Sequence, residues 1–170
     1  RAQDRFGFQA NNYLGSTQQL NLWSDDWVEF FMVKRLKYQL ELAVQNGFSL
    51  LSRSGERVLQ NIRSQINREA RPSLIHGDLW SGNYIVGLNH EPYLIDPAPY
   101  WADREAEFGI LTMFGGFDSD FFSAYQECYP LDSGFEDRLP IYQLYHYLNH
   151  LNLFGASYWG ACQKILKHYS

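Results

Sequence analysis

The chain has 170 residues with 45% hydrophobic content, enough for one domain with a full core. Its net charge of −5 argues against nucleic acid as the main partner, because phosphate backbones require a basic surface. No run of about 18 apolar residues occurs, nor a basic start leading into an apolar stretch, so neither a membrane span nor a signal peptide is expected.

The two cysteines, Cys128 and Cys162, fit no metal-ligand spacing, and a cytosolic chain keeps such thiols reduced. The high aromatic content suits either sugar stacking or a core, and most of the rings fall on helical periodicity, which favours the core.

Residues 1–23 are polar and turn-rich, with Asn11, Asn12, Gly15, Ser16 and Asn21. They read as an ordered loop, either a simple connector or the border of a binding site. Ser24 is the expected cap of a first helix, with Asp25, Asp26 and Glu29 suited to its positive end. Val28, Phe31, Met32, Leu36, Leu40, Ala43 and Val44 recur at three- and four-residue steps, and Gly47 marks the stop. A second helix is expected from about Ser54, with Val58, Ile62, Gln65 and Ile66 on one side, ending before Arg71-Pro72. Both helices read as scaffold.

The stretch from Leu74 to Ala98 carries the chemistry. A buried strand, Ser73 to His76, leads through Gly77 to Asp78; Asn83 follows five positions later and Asp96 thirteen after that. The segment between Asn83 and Asp96 is rich in apolar residues, with Gly87, Asn89 and Pro92 near its middle, and reads as a β-hairpin. A turn centred on Asn89 and His90 pairs Tyr84 with Ile95 and Ile85 with Leu94. Asn83 and Asp96 then face each other at the open end, with Cβ atoms about 5 Å apart. An amide oxygen and a carboxylate at that separation suit Mg²⁺, which takes a few protein oxygens plus phosphate and water. Asp78 is placed to orient a substrate hydroxyl and accept its proton, so the three together predict phosphoryl transfer. A lone His-x-Asp would equally fit a capping turn or a metal-hydrolase fragment; the joint spacing within a hairpin is what favours catalysis. His76 reads as a hydrogen-bonding support for the loop.

Trp101 to Glu107 opens a helix with Asp103 as its cap. Gly115-Gly116 breaks the chain before Asp118-Ser119-Asp120, where a helix runs through Phe121, Phe122, Tyr125 and Cys128 to Pro130. Asp118 and Asp120 are read as capping residues, since a Ca²⁺ loop would need further ligands. The longest late helix is expected over Phe135 to Phe154, with Ile141, Leu144, Tyr145, Leu148 and Leu151 inward. His146 and His150 stand four apart on it without the Glu that a zinc helix carries, and read as ordinary histidines. A last helix spans about Tyr158 to Tyr169.

The spacing matches the kinase loop H-R-D-x-x-x-x-N followed by a metal-binding Asp. His76-Gly77-Asp78 and Asp96-Pro97-Ala98 resemble the small-molecule kinases related to aminoglycoside phosphotransferases. Within that group, His76-Gly77-Asp78-Leu79-Trp80-Ser81-Gly82-Asn83, Asp103 to Glu107 and Met113 to Phe117 resemble the fructosamine (ketosamine) 3-kinase family. Phe6-Gly7-Phe8 and Asn12 to Thr17 extend the similarity to the start of the chain. Ala102 stands where the family tends to have Gly.

The resemblance implies an α+β, mainly α-helical fold: the C-terminal lobe of a protein-kinase-like enzyme with a small catalytic β-hairpin. It implies transfer of the ATP γ-phosphate to the 3-hydroxyl of a ketosamine, free or protein-bound, with Mg²⁺ on Asn83 and Asp96, as a cytoplasmic deglycation repair. Trp80 occupies the place of a phosphate-touching Lys; it either stacks on the acceptor or packs the loop. Glu107 either braces the loop from behind, as an acid does in related kinases, or is an exposed cap. Arg104 pairs with a neighbouring acid or reaches substrate. Pro97 and Ala98 are stiff where Asp-Phe-Gly is flexible, so Asp96 is expected to stay in place without a flip.

The chain begins at Arg1 and holds no Gly-x-Gly-x-x-Gly, and none of Lys34, Lys37, Lys164 and Lys167 follows a suitable β-run. Residues 1–170 are therefore expected to be a single lobe, inactive without an N-terminal nucleotide-binding lobe. Two alternatives remain: a related kinase acting on choline, homoserine or an aminoglycoside, with an aromatic cage in the choline case, and a non-catalytic binding lobe.

Overall fold

A computed structural model describes residues 3–49, 55–115 and 117–170, and in these the chain forms three two-stranded antiparallel ribbons laid against a helical body. Residues 1–23, expected to be a loop, hold the first ribbon: β1 (Asn12–Leu14) pairs with β2 (Thr17–Gln19). Isolated bridges tie Phe6 to Ser24 and Gly7 to Trp101. The polar residues that suggested a loop instead supply a buried amide network, in which Gln19 and Asn21 are almost fully enclosed.

The first helix is capped by Asp26, whose side chain accepts from the Glu29 N–H at 3.0 Å, and not by Ser24. Ser24 Oγ instead bonds Asp26, accepting from its N–H and donating to its carbonyl. From there α1 (Trp27–Phe31), a π-helical segment (Met32–Lys37) and α2 (Tyr38–Gln45) run without a break to Asn46 and Gly47. Val44 is exposed, while Phe30, Arg35 and Gln39 are buried. The π segment is one reason: its wider turn shifts the buried stripe away from the 3.6-residue pattern. The next helix, α3 (Gly55–Gln65), buries Val58 and Ile62 but leaves Gln65 exposed; Ser54, its expected start, lies outside the described residues.

The second ribbon joins β3 (Ser73–Ile75) to a distant strand and so closes the region that carries Asp78, Asn83 and Asp96. It buries Ile75 but leaves Leu74 exposed, so β3 is a half-buried strand ending one residue earlier than expected. A 3₁₀ turn (Ser81–Asn83) leads into the third ribbon, β4 (Tyr84–Val86) and β5 (Pro92–Leu94). Then β6 (Tyr100–Ala102) returns to pair with β3.

A 3₁₀ turn (Arg104–Ala106) and α4 (Glu107–Leu111) follow, then α5 (Ser119–Cys128) with Asp118 as its cap. Helix α6 (Phe135–Phe154) has the bounds expected from its periodicity, and all five of its predicted inward residues are buried. The chain ends in a 3₁₀ turn (Ala156–Tyr158) and α7 (Trp159–His168). Among the described residues no helix is long and apolar enough to cross a membrane.

The main core gathers side chains of α1, α2, α3, α6 and α7 with Ile75 and Tyr100. A smaller cluster around Phe108, Leu111 and Phe135 includes Leu79 of the loop after β3. Helix α4 lies close on α6 because of Gly109, where an added Cβ would meet the Tyr142 carbonyl at 2.8 Å. Just before α4, the fully buried Glu105 takes two bonds from Arg138 of α6, at 2.6 and 2.7 Å.

Such a pair is destabilising when halved, because a charge is left without water or partner. Arg138→Ala is expected to lower unfolding free energy by about 3–5 kcal/mol. Replacing both partners, as Glu105→Leu with Arg138→Met, is expected to lose less, and denaturant titration of the three variants measures the difference.

Candidate active site

The loop from His76 to Asn83 leaves β3 with no neighbouring strand to satisfy its amides. Gly77 makes the exit with φ +81, packed so tightly on Ala98 that a Cβ there would collide with the Ala98 carbonyl. One carboxylate takes up the exposed donors: Glu107 accepts from the N–H groups of His76 at 2.6 Å, Gly77 at 3.1 Å and Leu79 at 3.4 Å. Glu107 thus sits behind the loop and is not a solvent-facing cap. Burial pushes its pKa up to about 7, against the three N–H bonds that favour the charged form.

His76 clips the loop to the third ribbon. Its Nδ1 accepts from the Asp78 N–H at 3.3 Å, which leaves Nε2 to donate to the Ile95 carbonyl at 2.9 Å. Burial lowers its pKa, so the ring is neutral and acts as a spacer.

Asp78 and Asn83 touch directly. The Asn83 Nδ2 donates to the Asp78 backbone carbonyl at 2.8 Å and to its carboxylate Oδ2 at 3.0 Å. Both partners are acceptors, which fixes the orientation of the amide. Its Oδ1 receives no hydrogen bond among the described residues and is left for another ligand. Asp78 is half-buried, and its pKa rises to about 6, through burial first, with the Asn83 bond opposing and the Asp96 charge adding to the rise.

The third ribbon differs in register from the expectation. Tyr84 pairs with Leu94 and Ile85 with Tyr93, one residue short of the predicted partners. The reason lies in the turn: Gly87 bonds to both His90 and Glu91, and His90 has φ +61, so the loop is three residues long and centred on Asn89. Asn83 therefore faces Ile95, whose N–H donates to the Asn83 carbonyl at 3.0 Å. In an extended strand this slip would send Asp96 to the other face. Instead Asp96 adopts φ +50 and leaves the strand, an uncommon conformation that Asp tolerates better than most residues. Its exposed carboxylate is close enough for its charge to act on both Asp78 and His76.

The segment after Asp96 is fixed from two sides. The Ala98 N–H donates to the His76 carbonyl at 2.9 Å, and the Ala98 carbonyl accepts from Gln19 at 3.0 Å. Asn12 reaches the Pro99 carbonyl at 2.9 Å. Arg104 is turned away from the site: it bonds the Tyr125 hydroxyl and the Tyr129 and Pro130 carbonyls and pairs with Asp132.

Trp80 lies over Gly82 and edge-on to Phe114, with ring centroids 6.1 Å apart, and about a third of it is exposed. It borders a cavity of about 380 Å³ together with Asp78, Leu14, Phe114, His150 and Tyr158. A largely apolar cavity with a few convergent polar groups is the usual form of a small-molecule site. Phe114 and Tyr158 were not singled out as site residues from sequence, because scattered aromatics read as core, and His150 was weighed with His146 only as a metal pair and read as an ordinary histidine. Among the described residues no three His, Cys, Asp or Glu side chains gather into a metal cage. Mg²⁺ needs none, because phosphates and water complete its shell.

A family model described as fructosamine kinase matches residues 1–170. The chain belongs to the fructosamine kinase family. It is 45% identical over 166 residues to the protein-ribulosamine 3-kinase, chloroplastic, of Arabidopsis thaliana, covering 96% of this chain and 51% of that protein. It is 41% identical to a probable ketoamine kinase of Vibrio cholerae, across 97% of this chain and 57% of that one. A crystal structure of a provisionally named fructosamine-3-kinase from Haemophilus somnus superposes with a TM-score of 0.90 at 29% identity, covering 99% of this chain and 58% of its own. The α+β, mainly helical architecture is thus the protein-kinase-like fold of this family. The chain spans about half the length of the curated relatives it matches.

Glu107→Gln tests the support of the loop. An amide offers one acceptor oxygen to three donors and presents its own N–H groups to the rest, so turnover in the intact protein is expected to fall about 10- to 100-fold. A carboxyl whose folded pKa is raised from 4.5 to about 7 binds more protons folded than unfolded in that window. Its contribution to stability is therefore present below about pH 4.5 and is lost as pH rises through 7. Denaturation of the variant at several pH values should show a flatter profile across that range.

Proposed function

We propose that these residues form the C-terminal lobe of a two-lobe kinase that transfers the γ-phosphate of ATP to the 3-hydroxyl of a ketosamine. The observation that carries this reading is Asp78, bonded to Asn83, on a loop bordered by the acceptor-sized cavity on one side and the exposed Asp96 on the other. The names of the relatives, protein-ribulosamine 3-kinase and ketoamine kinase, support the substrate class. The phosphorylated adduct is unstable and releases the amine, which makes the activity a repair of glycation.

In this mechanism Asp78 accepts the proton of the acceptor hydroxyl as its oxygen bonds to the γ-phosphorus and the bond to the bridging β–γ oxygen breaks. The raised pKa of Asp78 improves it as a base while leaving it ionised at neutral pH. Asn83, held by its Nδ2, aims Oδ1 outward, and the Asp96 carboxylate is open to solvent. These two hard oxygens fit Mg²⁺, which when bound neutralises charge on the phosphates. Glu107 and His76 hold the loop and Trp80 borders the acceptor. The exposed Ile85, Val86 and Leu94 of the third ribbon offer an apolar surface to a nucleotide base and to a covering lobe.

The free thiols Cys128 and Cys162 suit a reducing compartment such as the cytoplasm. The aromatic cavity also favours one other acceptor class, a choline-like quaternary ammonium alcohol.

Assays of the intact protein with ATP and Mg²⁺ against a fructosamine, a ribulosamine and choline separate these. Phosphate transfer to the ketosamines is expected, with little to choline; transfer to choline alone would replace the substrate assignment. Asp78→Asn is expected to reduce kcat by about 10² to 10⁴. Asp96→Asn should raise the Mg²⁺ needed for half-maximal rate, and Trp80→Ala should raise KM for the acceptor far more than for ATP. Structures with and without nucleotide are expected to show Asp96 unrotated.

A further inference from the structure

The cavity beside Asp78 has few polar groups. Five side chains with polar atoms border it: Asp78, Trp80, Asn149, His150 and Tyr158. Asn149 is committed within the core, where its oxygen accepts from Gln39 at 3.0 Å and its nitrogen donates to the Leu14 carbonyl at 3.4 Å. Trp80 offers a donor and Tyr158 a hydroxyl that donates and accepts, so next to Asp78 it is His150 that can offer a nitrogen that only accepts.

Its state is fixed by its surroundings. The Nδ1 lies 2.8 Å from the carbonyl of His146, one turn earlier on α6. A carbonyl only accepts, so Nδ1 carries the proton. Burial disfavours a second proton on the ring, so Nε2 keeps its lone pair. That nitrogen has no partner among the described residues. It is not sealed off either, because the buried nitrogens without a partner are Arg35 Nε and His146 Nδ1.

Around this acceptor the wall is aromatic. Phe114 and Tyr158 each stand 5.1 Å from the His150 ring, Phe154 stands 5.5 Å from it, and Trp80 continues the series beyond Phe114. A sugar hydroxyl both donates and accepts, so it can pair with the Tyr158 hydroxyl or the Trp80 N–H as well as with His150. An ammonium only donates, and aromatic faces attract its charge.

We propose that His150 is a specificity-determining residue that reads the secondary ammonium of the acceptor. Nε2 accepts an ammonium N–H, the rings of Phe114 and Tyr158 flank the charge, and Asp78 faces the hydroxyl. The ligand class is an aminomethyl ketose in preference to a free ketose or its ethers. This rests on the reading of Asp78 as the acceptor-side base.

The test uses the intact protein, a fructosamine substrate, and an ether analogue in which oxygen replaces the amine nitrogen. Wild-type protein is expected to bind the amine at least about tenfold better than the ether, the worth of a hydrogen bond to a charged group. His150→Phe keeps an aromatic ring and removes the acceptor. It should raise KM for the amine about 10- to 100-fold, leave KM for ATP unmoved and hardly change competition by the ether. His150→Gln, which retains an acceptor oxygen, should recover part of the loss. Equal losses on amine and ether, or no loss on either, would overturn the assignment. So would a wild-type protein indifferent to the two, a measurement that does not depend on any variant folding. Asp78→Asn run in parallel separates the two readings: retained turnover would sink the role of Asp78, whereas its loss beside an unaffected His150→Phe would sink His150 alone.

Discussion

Three backbone N–H groups converging on the Glu107 carboxylate are the interaction on which the rest of the site depends. A chain that turns out of a strand through a left-handed glycine has no ladder or helix to satisfy its donors. Buried donors left unmade would each be destabilising by about 1–3 kcal/mol. Glu107 can meet three of them because it begins α4, and α4 is anchored by Phe108, Ile110 and Leu111 in the cores and by Gly109 against Tyr142. The position of Asp78 is therefore inherited from the packing of two helices, one of them the longest in the fold.

The opposite side of the site is held by amides. Gln19 bonds the Ala98 carbonyl, the Asn12 side chain and the Tyr145 hydroxyl; Asn21 bonds Asn12 and receives a bond from Arg35. Arg35 is fully buried without a carboxylate partner among the described residues, its guanidinium 4.0 Å above Tyr100 and bonded to the Leu20 carbonyl. Aromatic faces and carbonyl dipoles thus replace a counter-ion. A carboxylate there would have added negative charge to a region where burial already raises the pKa values of Asp78, Asp103 and Glu107, with Asp96 adding to the first, Glu105 to the second and Asp78 to the third. The first ribbon holds the Ala98 and Pro99 carbonyls just after Asp96, whose left-handed conformation disfavours the chain by about 1–2 kcal/mol.

How much of this was legible depended on whether the cause was local. The bounds and buried face of α6 followed from periodicity, and the caps at Asp103 and Asp118 from residue type and position. The register of the third ribbon did not, because symmetric counting between Asn83 and Asp96 assumes an even turn, and His90 in a left-handed conformation made it odd. The first ribbon was hidden for a different reason. Its strands are three residues long and polar, and their stability comes from partners more than seventy positions away, such as Ala98 and Tyr145. Asp26 displaced Ser24 as the helix cap because both residue types fit and only the backbone path decides between them. His150 was invisible as a reader of ligand, since its state depends on one carbonyl and on rings from three separate segments.

This separation between support and lining bears on how one loop can serve different acceptors. The donors caught by Glu107, the His76 clip and the Ala98 contacts involve backbone atoms or residues beneath the loop, so changing them would disturb the placement of Asp78 and Asn83. The cavity is walled by Leu14 of β1 and Gly15 of the turn after it, Phe114 after α4, His150 and Leu153 of α6, and Tyr158. None of these side chains bonds the loop backbone among the described residues. Exchanging them would alter the shape and polarity of the cavity proposed for the acceptor while leaving Asp78 and Asn83 in contact. Fold and catalytic loop alone therefore do not fix the acceptor; that choice lies in side chains that four separate stretches of the chain bring to one wall.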